Sequence, residues 1–261
     1  MLFWIQAAGL FMSFRSRTRA TGVFYVPGFP KGVKWLLISN VAVFLIGFFA
    51  QLVQLDGPLR FLALTPALVI RYFMVWQLAS YMFLHAGFGH IIWNMLALWM
   101  FGADLEQTWG TRRFLQFYFF CGIGAGICVV ALNYLLPWGN PVIPTLGSSG
   151  AIFGILMACA MLYPDRPILF AFLIPMQMKW FVLIIGVIAF LSSFQANSGV
   201  SAFAHLGGLV FGYFYLKTPS LHFDLAGPIR RQYRDYKLRR ARKKFQVYLR
   251  RQGSDKGPTV H

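Results

Sequence analysis

Long apolar runs without charge constrain this fold more than any other feature of the chain. Residues 35–54 contain no Asp, Glu, Lys or Arg, and neither do residues 114–136. A helix needs about 20 apolar residues to cross the ~30 Å hydrocarbon core of a bilayer. Only 12% of the 261 residues are charged, about half the share found in soluble domains. The sequence therefore predicts an all-α, polytopic membrane protein.

Six segments are apolar enough to be predicted spans: 35–54, 90–105, 113–136, 149–163, 180–194 and 203–217. The stretch between the first two, 55–89, is also apolar, but Pro58, Pro66 and Arg60 interrupt it. Non-helical backbone at membrane depth is tolerated only where it packs on protein. We therefore predict a six-transmembrane-helix bundle with a large, half-embedded outer loop between helices 1 and 2.

The positions of the basic residues predict the orientation of these spans. Cytoplasmic flanks of membrane proteins are enriched in Lys and Arg. With six spans and an inner N-terminus, every Lys and Arg except Arg60 and Arg71 lies on the inner side. A further crossing within 55–89 would move Arg112, Arg113 and the C-terminal tail outside. We therefore expect both termini in the cytoplasm.

The chain divides by composition into three parts. We expect residues 1–34 to be a cytoplasmic segment, 35–217 the membrane domain and 218–261 a basic tail. Within 230–251, eleven Lys or Arg stand against Asp235 alone, and the apolar residues fall at helical spacing. This pattern predicts an amphipathic helix on anionic inner-leaflet lipid; a solvated tail is the alternative. The net charge of +17 clusters at membrane flanks, so no nucleic-acid partner is expected.

Polar side chains within the apolar segments are the candidates for chemistry, because such groups are costly in a membrane. They are His85, His90 and Asn94 around the start of the second predicted span, Ser149 at the start of the fourth and His205 near the start of the sixth. The predicted topology brings all of them to one depth on the outer side. A Ser hydroxyl beside a His base is the minimal nucleophilic pair. Since no carboxylate is expected at that depth, the sequence indicates a dyad rather than a triad.

Small residues explain how the serine and the histidine can meet. Gly150 and Gly154 lie four residues apart, as do Gly208 and Gly212. Such stripes let helix backbones approach closely. Ser149 also stands at a predicted helix N-terminus, where free N–H groups favour negative charge. His90 and Asn94, on one helix face, could add side-chain donors for an oxyanion.

These residue types also fit other kinds of site. His85, His90 and His205 could be metal or haem ligands, and the glycine stripes could serve packing alone. The three cysteines, Cys121, Cys128 and Cys159, all lie in apolar runs and read as small core residues. The joint placement of the serine, histidines and glycines favours hydrolytic chemistry, so no cofactor and no metal site are expected.

Taken together, the motifs resemble the rhomboid family of intramembrane serine proteases. The similar stretches are "GSSG" at 147–150, the His85-x4-His90-x3-Asn94 spacing and "AHLGGLVFG" from 204 to 212. Trp76 and Glu106 fit as well, and the resemblance covers roughly residues 35–217.

The resemblance implies a role for each candidate residue. Ser149 would be the nucleophile and His205 the general base. His90, Asn94 and the Ser149 backbone N–H would form the oxyanion hole. Phe153 stands where the family usually has a Tyr stacked under the catalytic imidazole. The supporting residues would be Gly147, Gly150, Phe153, Gly208, Gly212 and His85.

The resemblance also implies a substrate class and a location. Transmembrane proteins would be cut near the outer face, through an acyl-enzyme, in a bacterial inner membrane. A mobile fifth helix and the 195–202 loop would gate access. The family often has Trp-Arg where this chain has Trp76-Gln77, so an ion pair or lipid contact through that Arg is not expected. The alternative is a non-proteolytic rhomboid-like chaperone or adaptor, which would be expected to lose the serine or the histidine.

Overall fold

The structure, a computed structural model, describes residues 28–55, 57–170, 174–194 and 199–218. Most of the predicted N-terminal segment, residues 195–198 of the predicted gating loop and the predicted lipid-binding tail from residue 219 onward lie outside the described residues. The described chain is mostly helical, as the apolar runs predicted.

The secondary structure follows the predicted order of apolar segments. The helices are α1 (Lys31–Leu52), α2 (Pro66–Tyr72), α3 (Gln77–Ser80), α4 (Phe88–Ala97), α5 (Ala103–Trp109), α6 (Thr111–Leu135), α7 (Ser149–Leu162), α8 (Met178–Ser192) and α9 (Gly199–Lys217). A π-helical turn, Leu98–Gly102, makes α4 and α5 continuous. Short 3-10 turns cover Gly57–Leu62 and Tyr81–Phe83.

Helix length and composition identify the membrane-spanning candidates. Among the described residues, α1 and α6 are long and apolar enough to cross a bilayer. The bent pair Gln77–Phe83 and Phe88–Trp109, with 98° between its halves, would add a third if it forms one span. Helices α7 and α8 are shorter and apolar. The count of six spans stays a prediction.

A short β-hairpin accompanies the helices and was not predicted from the sequence. Strands β1 (Pro167–Phe170) and β2 (Ile174–Gln177) pair antiparallel between α7 and α8, with Pro167 opposite Gln177. Arg166, just before β1, forms a 2.7 Å ion pair with Asp104 of α5. The prediction missed this hairpin because four-residue apolar strands carry too little periodicity to be separated from a loop.

The stretch between α1 and α4 packs on the α6–α7 loop. Leu64 and Thr145 exchange two backbone hydrogen bonds, of 3.0 and 2.8 Å. Gln77, fully buried, donates to the Phe61 carbonyl at 3.1 Å and accepts the Thr65 N–H at 3.0 Å. The Gln77 amide therefore links residues 61 and 65 of this stretch to α3. The half-embedded depth of the stretch stays a prediction.

Glu106 fixes the start of α1. Its carboxylate accepts the N–H groups of Gly32 and Val33, both at 2.7 Å, and the Thr111 hydroxyl at 2.6 Å. A carboxylate at a helix N-terminus satisfies free donors and matches the helix dipole. The helix therefore begins at Lys31, before the predicted span at residue 35.

Helices α6, α7 and α9 contact one another at the centre of the described chain. A side chain at Gly208 of α9 would overlap the Gly150 carbonyl of α7, and a Cβ at Gly212 would lie 2.9 Å from the Gly154 oxygen. On its other side, a Cβ at Gly150 would lie 2.7 Å from Cβ of Ala125 in α6. We call Gly150, Gly154, Gly208 and Gly212 the glycine seam. It is the close helix approach that the four-residue spacing predicted.

Candidate active site

Ser149 and His205 lie in contact at one end of the glycine seam. Ser149 is the first residue of α7, and His205 lies in α9, one turn before Gly208. The Ser149 Oγ and the His205 Nε2 are 2.9 Å apart although 56 residues separate them in sequence. Both side chains are half-buried. The pair is therefore hydrogen-bonded and also accessible from one side.

Phe153 holds the imidazole plane of His205. The two rings stack with centroids 4.1 Å apart and planes 4° from parallel. Phe153 is buried and follows Ser149 by one helical turn, so both flank the same histidine. The stacking that the resemblance implied is present, and it needs only the ring.

The backbone before Ser149 depends on glycine. Gly147 has φ +117°, in a region that residues with a side chain rarely adopt. A Cβ there would also lie 2.7 Å from the His90 Nε2. The Gly147 N–H donates to the Tyr81 carbonyl at 2.9 Å. The tight turn into α7 therefore requires glycine both for its conformation and for space.

His90 and Asn94 face this turn from α4. The His90 Nδ1 accepts the Ala86 N–H at 3.4 Å, so in the neutral ring the hydrogen is on Nε2, beside Gly147. The Asn94 amide donates to the His90 carbonyl at 3.0 Å, and its Nδ2 would lie 3.8 Å from a Cβ at Gly147. Both side chains therefore offer donors next to the start of α7.

His85 packs behind His90. The two imidazoles are 5.1 Å apart, at 69° to each other. His85 is therefore in edge-to-face contact with the His90 ring.

The carboxylates of α5 are far from this cluster. Asp104 pairs with Arg166, and Glu106 binds the start of α1. Because α4 and α5 are continuous, Asp104 lies roughly 20 Å along the axis from His90. Neither of these two carboxylates is placed to orient His205.

Sequence reasoning assigned no role to three polar residues that the structure buries completely. Asn40 of α1, Tyr118 of α6 and Ser148 before α7 are all fully buried. Of the three, Asn40 could have been found from the sequence, because it is a polar side chain in the middle of a charge-free run. Tyr118 and Ser148 carried no signal of their own, because Tyr and Ser are common in helix contacts.

Comparison with known proteins identifies the family. The Rhomboid domain model matches residues 72–220. "Rhomboid protease GluP" of Bacillus subtilis is 33% identical over 139 residues, covering 53% of this chain and 25% of that protein. "Rhomboid protein 1, mitochondrial" of Saccharomyces cerevisiae is 34% identical over 142 residues, covering 51% of this chain and 38% of that protein.

A shorter relative gives a similar match. "Putative rhomboid protease YdcA" of Bacillus subtilis is 32% identical over 138 residues, covering 53% of this chain and 64% of that protein. The matched region thus spans less than two thirds of each of these three relatives. Because the family model covers more than half of the 261 residues, the chain belongs to the rhomboid family of integral membrane proteins, whose members are generally intramembrane serine proteases.

Proposed function

We propose that this rhomboid is an intramembrane serine endopeptidase that cleaves transmembrane proteins through a Ser149–His205 dyad. The observation that carries the proposal is the 2.9 Å hydrogen bond between the Ser149 Oγ and the His205 Nε2. A serine at this distance from a base is an activated nucleophile. No carboxylate is required, because stacking on Phe153 orients the imidazole.

The first half of the reaction forms an acyl-enzyme. His205 accepts the proton of Ser149 as Oγ bonds to the carbonyl carbon of the scissile peptide. The oxyanion that results accepts hydrogen bonds from the Ser149 N–H and from the side chains of His90 and Asn94. The C–N bond then breaks, and the imidazolium of His205 gives its proton to the departing amine.

The second half returns the enzyme to its starting state. A water molecule gives a proton to His205 as its oxygen bonds to the acyl carbon. The tetrahedral adduct then collapses: the bond from the carbon to the Ser149 Oγ breaks, and the His205 imidazolium returns its proton to Oγ. The half-buried positions of Ser149 and His205 support access for that water. Preorganised donors are the largest single contribution in many such sites, and here they lie on α4 and on the first turn of α7.

The proposed depth of Ser149 in the membrane follows from the length of α7. Helix α7 has 14 residues, about 21 Å, against a hydrocarbon core of ~30 Å. With its far end near the inner surface, Ser149 lies several Å below the outer one. In this proposal residues 35–217 form a six-span catalytic domain in a bacterial inner membrane. Residues 1–34 and the basic tail 218–261 are then cytoplasmic, with the tail on anionic lipid.

The test is reaction of the full chain with a fluorophosphonate, together with cleavage of a reporter transmembrane substrate. The wild-type chain should be labelled on Ser149 and should cleave the reporter. Ser149→Ala and His205→Ala should do neither, and the double variant should be no worse, because a dyad acts as a unit. Ser192→Ala, which removes a hydroxyl on α8, is the matched control and should retain activity.

Two outcomes would contradict the proposal in different ways. Cleavage by Ser149→Ala would show that another residue is the nucleophile. A folded wild-type chain that neither labels nor cleaves would instead favour the non-proteolytic chaperone or adaptor.

A further inference from the structure

Tyr81 is a fully buried tyrosine that takes no part in the proposed proton transfers. It begins the 3-10 turn between α3 and α4, and its exposed fraction is 0%. Its hydroxyl donates to the carbonyl of Gly122 in α6 at 2.7 Å. A Cβ at Gly126, one turn further along α6, would lie 3.3 Å from the Tyr81 Cε1, and a Cβ at Gly122 would overlap Met82. The tyrosine is therefore seated on a glycine face of α6 and hydrogen-bonded to it.

The Tyr81 hydroxyl lies where three helices come together. A Cβ at Gly150 of α7 would be 3.2 Å from this oxygen and 3.3 Å from the carbonyl oxygen of Ala204 in α9. Gly150 directly follows Ser149, and Ala204 directly precedes His205. The hydroxyl is therefore placed between α6 and the segments of α7 and α9 that carry the proposed dyad.

The backbone of Tyr81 holds the turn that leads into α7. Its carbonyl accepts the Gly147 N–H at 2.9 Å, and the paired backbone bonds of Leu64 and Thr145 join the same two stretches two residues earlier. Because Gly147 lies two residues before Ser149, a shift of the Tyr81 carbonyl would move the peptide that carries the Ser149 N–H. That N–H is one of the proposed oxyanion donors.

We propose that Tyr81 is a positioning residue of the site. Its hydroxyl, bonded to the Gly122 carbonyl, fixes the carbonyl that holds Gly147, and so fixes the Ser149 N–H for oxyanion binding. This inference rests on the proposed protease activity. It makes α6, which contributes no catalytic side chain, the support for the geometry of the nucleophile.

The direct test is Tyr81→Phe in the full chain, which removes one hydroxyl and keeps the ring. Gly122 lies inside α6, so its carbonyl keeps a helical hydrogen bond and the variant leaves no buried group unpaired. The matched control is Ser80→Ala. The Ser80 hydroxyl donates to the Leu62 carbonyl, also at 2.7 Å, and that bond stays within the stretch between α1 and α4 and does not reach α6.

A positioning role predicts a split between the kinetic constants. The measurements are kcat and KM on the reporter substrate, per site titrated with fluorophosphonate, well below the thermal midpoint. Tyr81→Phe should lower kcat by about fivefold, less than the 10²–10³ seen when an oxyanion donor is deleted outright. KM should stay within about twofold, because no substrate contact is removed. Ser80→Ala should keep both constants within about twofold of the wild type.

Amide hydrogen exchange gives a second readout that needs no activity. Exchange is followed without substrate in peptides covering residues 145–149, which contain the Gly147 N–H bonded to Tyr81. Local opening sets the exchange rate of such an amide. Tyr81→Phe should therefore speed exchange in these peptides by about fivefold, whereas Ser80→Ala should leave it unchanged.

Two sets of results would overturn this inference. One is a Tyr81→Phe enzyme with kcat within twofold of the wild type, with KM rising in step with the loss, or with unchanged exchange at Gly147. The other is an equal loss of kcat in Ser80→Ala, because the bond to α6 would then not be the cause. Failure of the proposed function looks different: the wild-type chain itself would neither label nor cleave, and the exchange comparison would still show whether Tyr81 holds the turn.

Discussion

Helices α7 and α8 are consecutive along the chain and differ sharply in how they pack. Helix α7 meets α9 through the glycine seam, where the backbones leave no space for a Cβ. Helix α8 presents large apolar side chains outward; Leu183, Phe190 and Leu191 are each more than half exposed. Its buried residues, Met178, Phe181, Val182 and Ala189, lie mostly near its start.

The glycine seam therefore fixes α7 and α9 relative to each other, whereas α8 is packed less tightly. A hydrogen bond of 2.9 Å between two helices persists only if their backbones are held to a fraction of an ångström, and the glycine seam provides that. The far end of α8 contacts its surroundings through weaker links, among them the Trp138 indole, which donates to the Ser193 carbonyl at 3.2 Å. The gating role that the resemblance implied for α8 stays a prediction, and its exposed packing is compatible with it.

The largest expected difference between the glycine seam and α8 appears when one glycine in each is replaced by alanine. In Gly208→Ala the new Cβ would overlap the Gly150 carbonyl, so α7 and α9 must separate. We expect no detectable cleavage and a loss of about 1–3 kcal/mol or more in the free energy of unfolding. The matched variant is Gly186→Ala on α8, where the Cβ meets the flexible Leu209 Cδ1 at 3.3 Å.

Gly186→Ala should keep its activity and unfold within about 1 kcal/mol of the wild type, since Ala is the better helix former. Thermal unfolding in detergent and reporter cleavage measure both variants. Equal activity in Gly208→Ala and Gly186→Ala would remove the contrast between the seam and α8.

The next effect concerns aromatic side chains. Phe153→Ala removes the ring stacked on His205, and a displaced catalytic group can cost about 10²-fold in rate. We expect kcat to fall by about that factor, with Phe153→Tyr remaining active because the ring is kept. Phe190→Ala on the exposed face of α8 should change kcat by less than about twofold. A Phe153→Ala enzyme with normal kcat would show that the seam alone orients the histidine.

A substitution in α4 tests whether a helix outside the glycine seam also contributes to the geometry of the site. Asn94→Leu removes one proposed oxyanion donor and leaves the His90 Nε2–H and the Ser149 N–H. Deleting one donor in another protease costs about 10²–10³ in kcat, so we expect a loss at or below the lower end of that range. KM should change little. Unchanged kcat would assign Asn94 to packing, where its bond to the His90 carbonyl already places it.

The smallest expected effect is on the C-terminal end of α8. Trp138→Phe removes the indole N–H that binds Ser193 and keeps an aromatic ring against Phe194. A lost hydrogen bond of this kind costs about 1 kcal/mol. Amide hydrogen exchange should therefore speed up in the last turn of α8 and stay unchanged in α7. Trp180→Phe, which changes an exposed side chain near the start of α8, is the control, and equal exchange in both variants would refute the link.

The fold was predictable where the sequence carries long patterns. The apolar runs gave the helices in order, and Gly208 and Gly212 gave the face that packs on α7. The hairpin of β1 and β2 was not predicted, since its strands are shorter than a readable period. The start of α1 at Lys31 was also missed, because its cap is Glu106, more than 70 residues away.

The residue types of the candidate site could be predicted from the sequence, but the contacts that position them could not. Ser149 and His205 stand out because a hydroxyl and an imidazole are unusual beside glycines in apolar helices, and those glycines require close approach. Tyr118 and Ser148 are ordinary residues in sequence, and only the structure shows that both are fully buried.

The sequence by itself determined the membrane class, the order of the helices, the small-residue faces and the residue types able to carry out acyl transfer. Those properties depend on composition and on spacing along one helix, which a linear chain displays directly. Only the tertiary structure decided which atoms touch: the 2.9 Å bond of Ser149 to His205, the stacking of Phe153 on His205 and the capping of α1 by Glu106. Each of these depends on the packing of several helices at once, and a shift of one turn in any of them would leave the sequence patterns intact while breaking the contact.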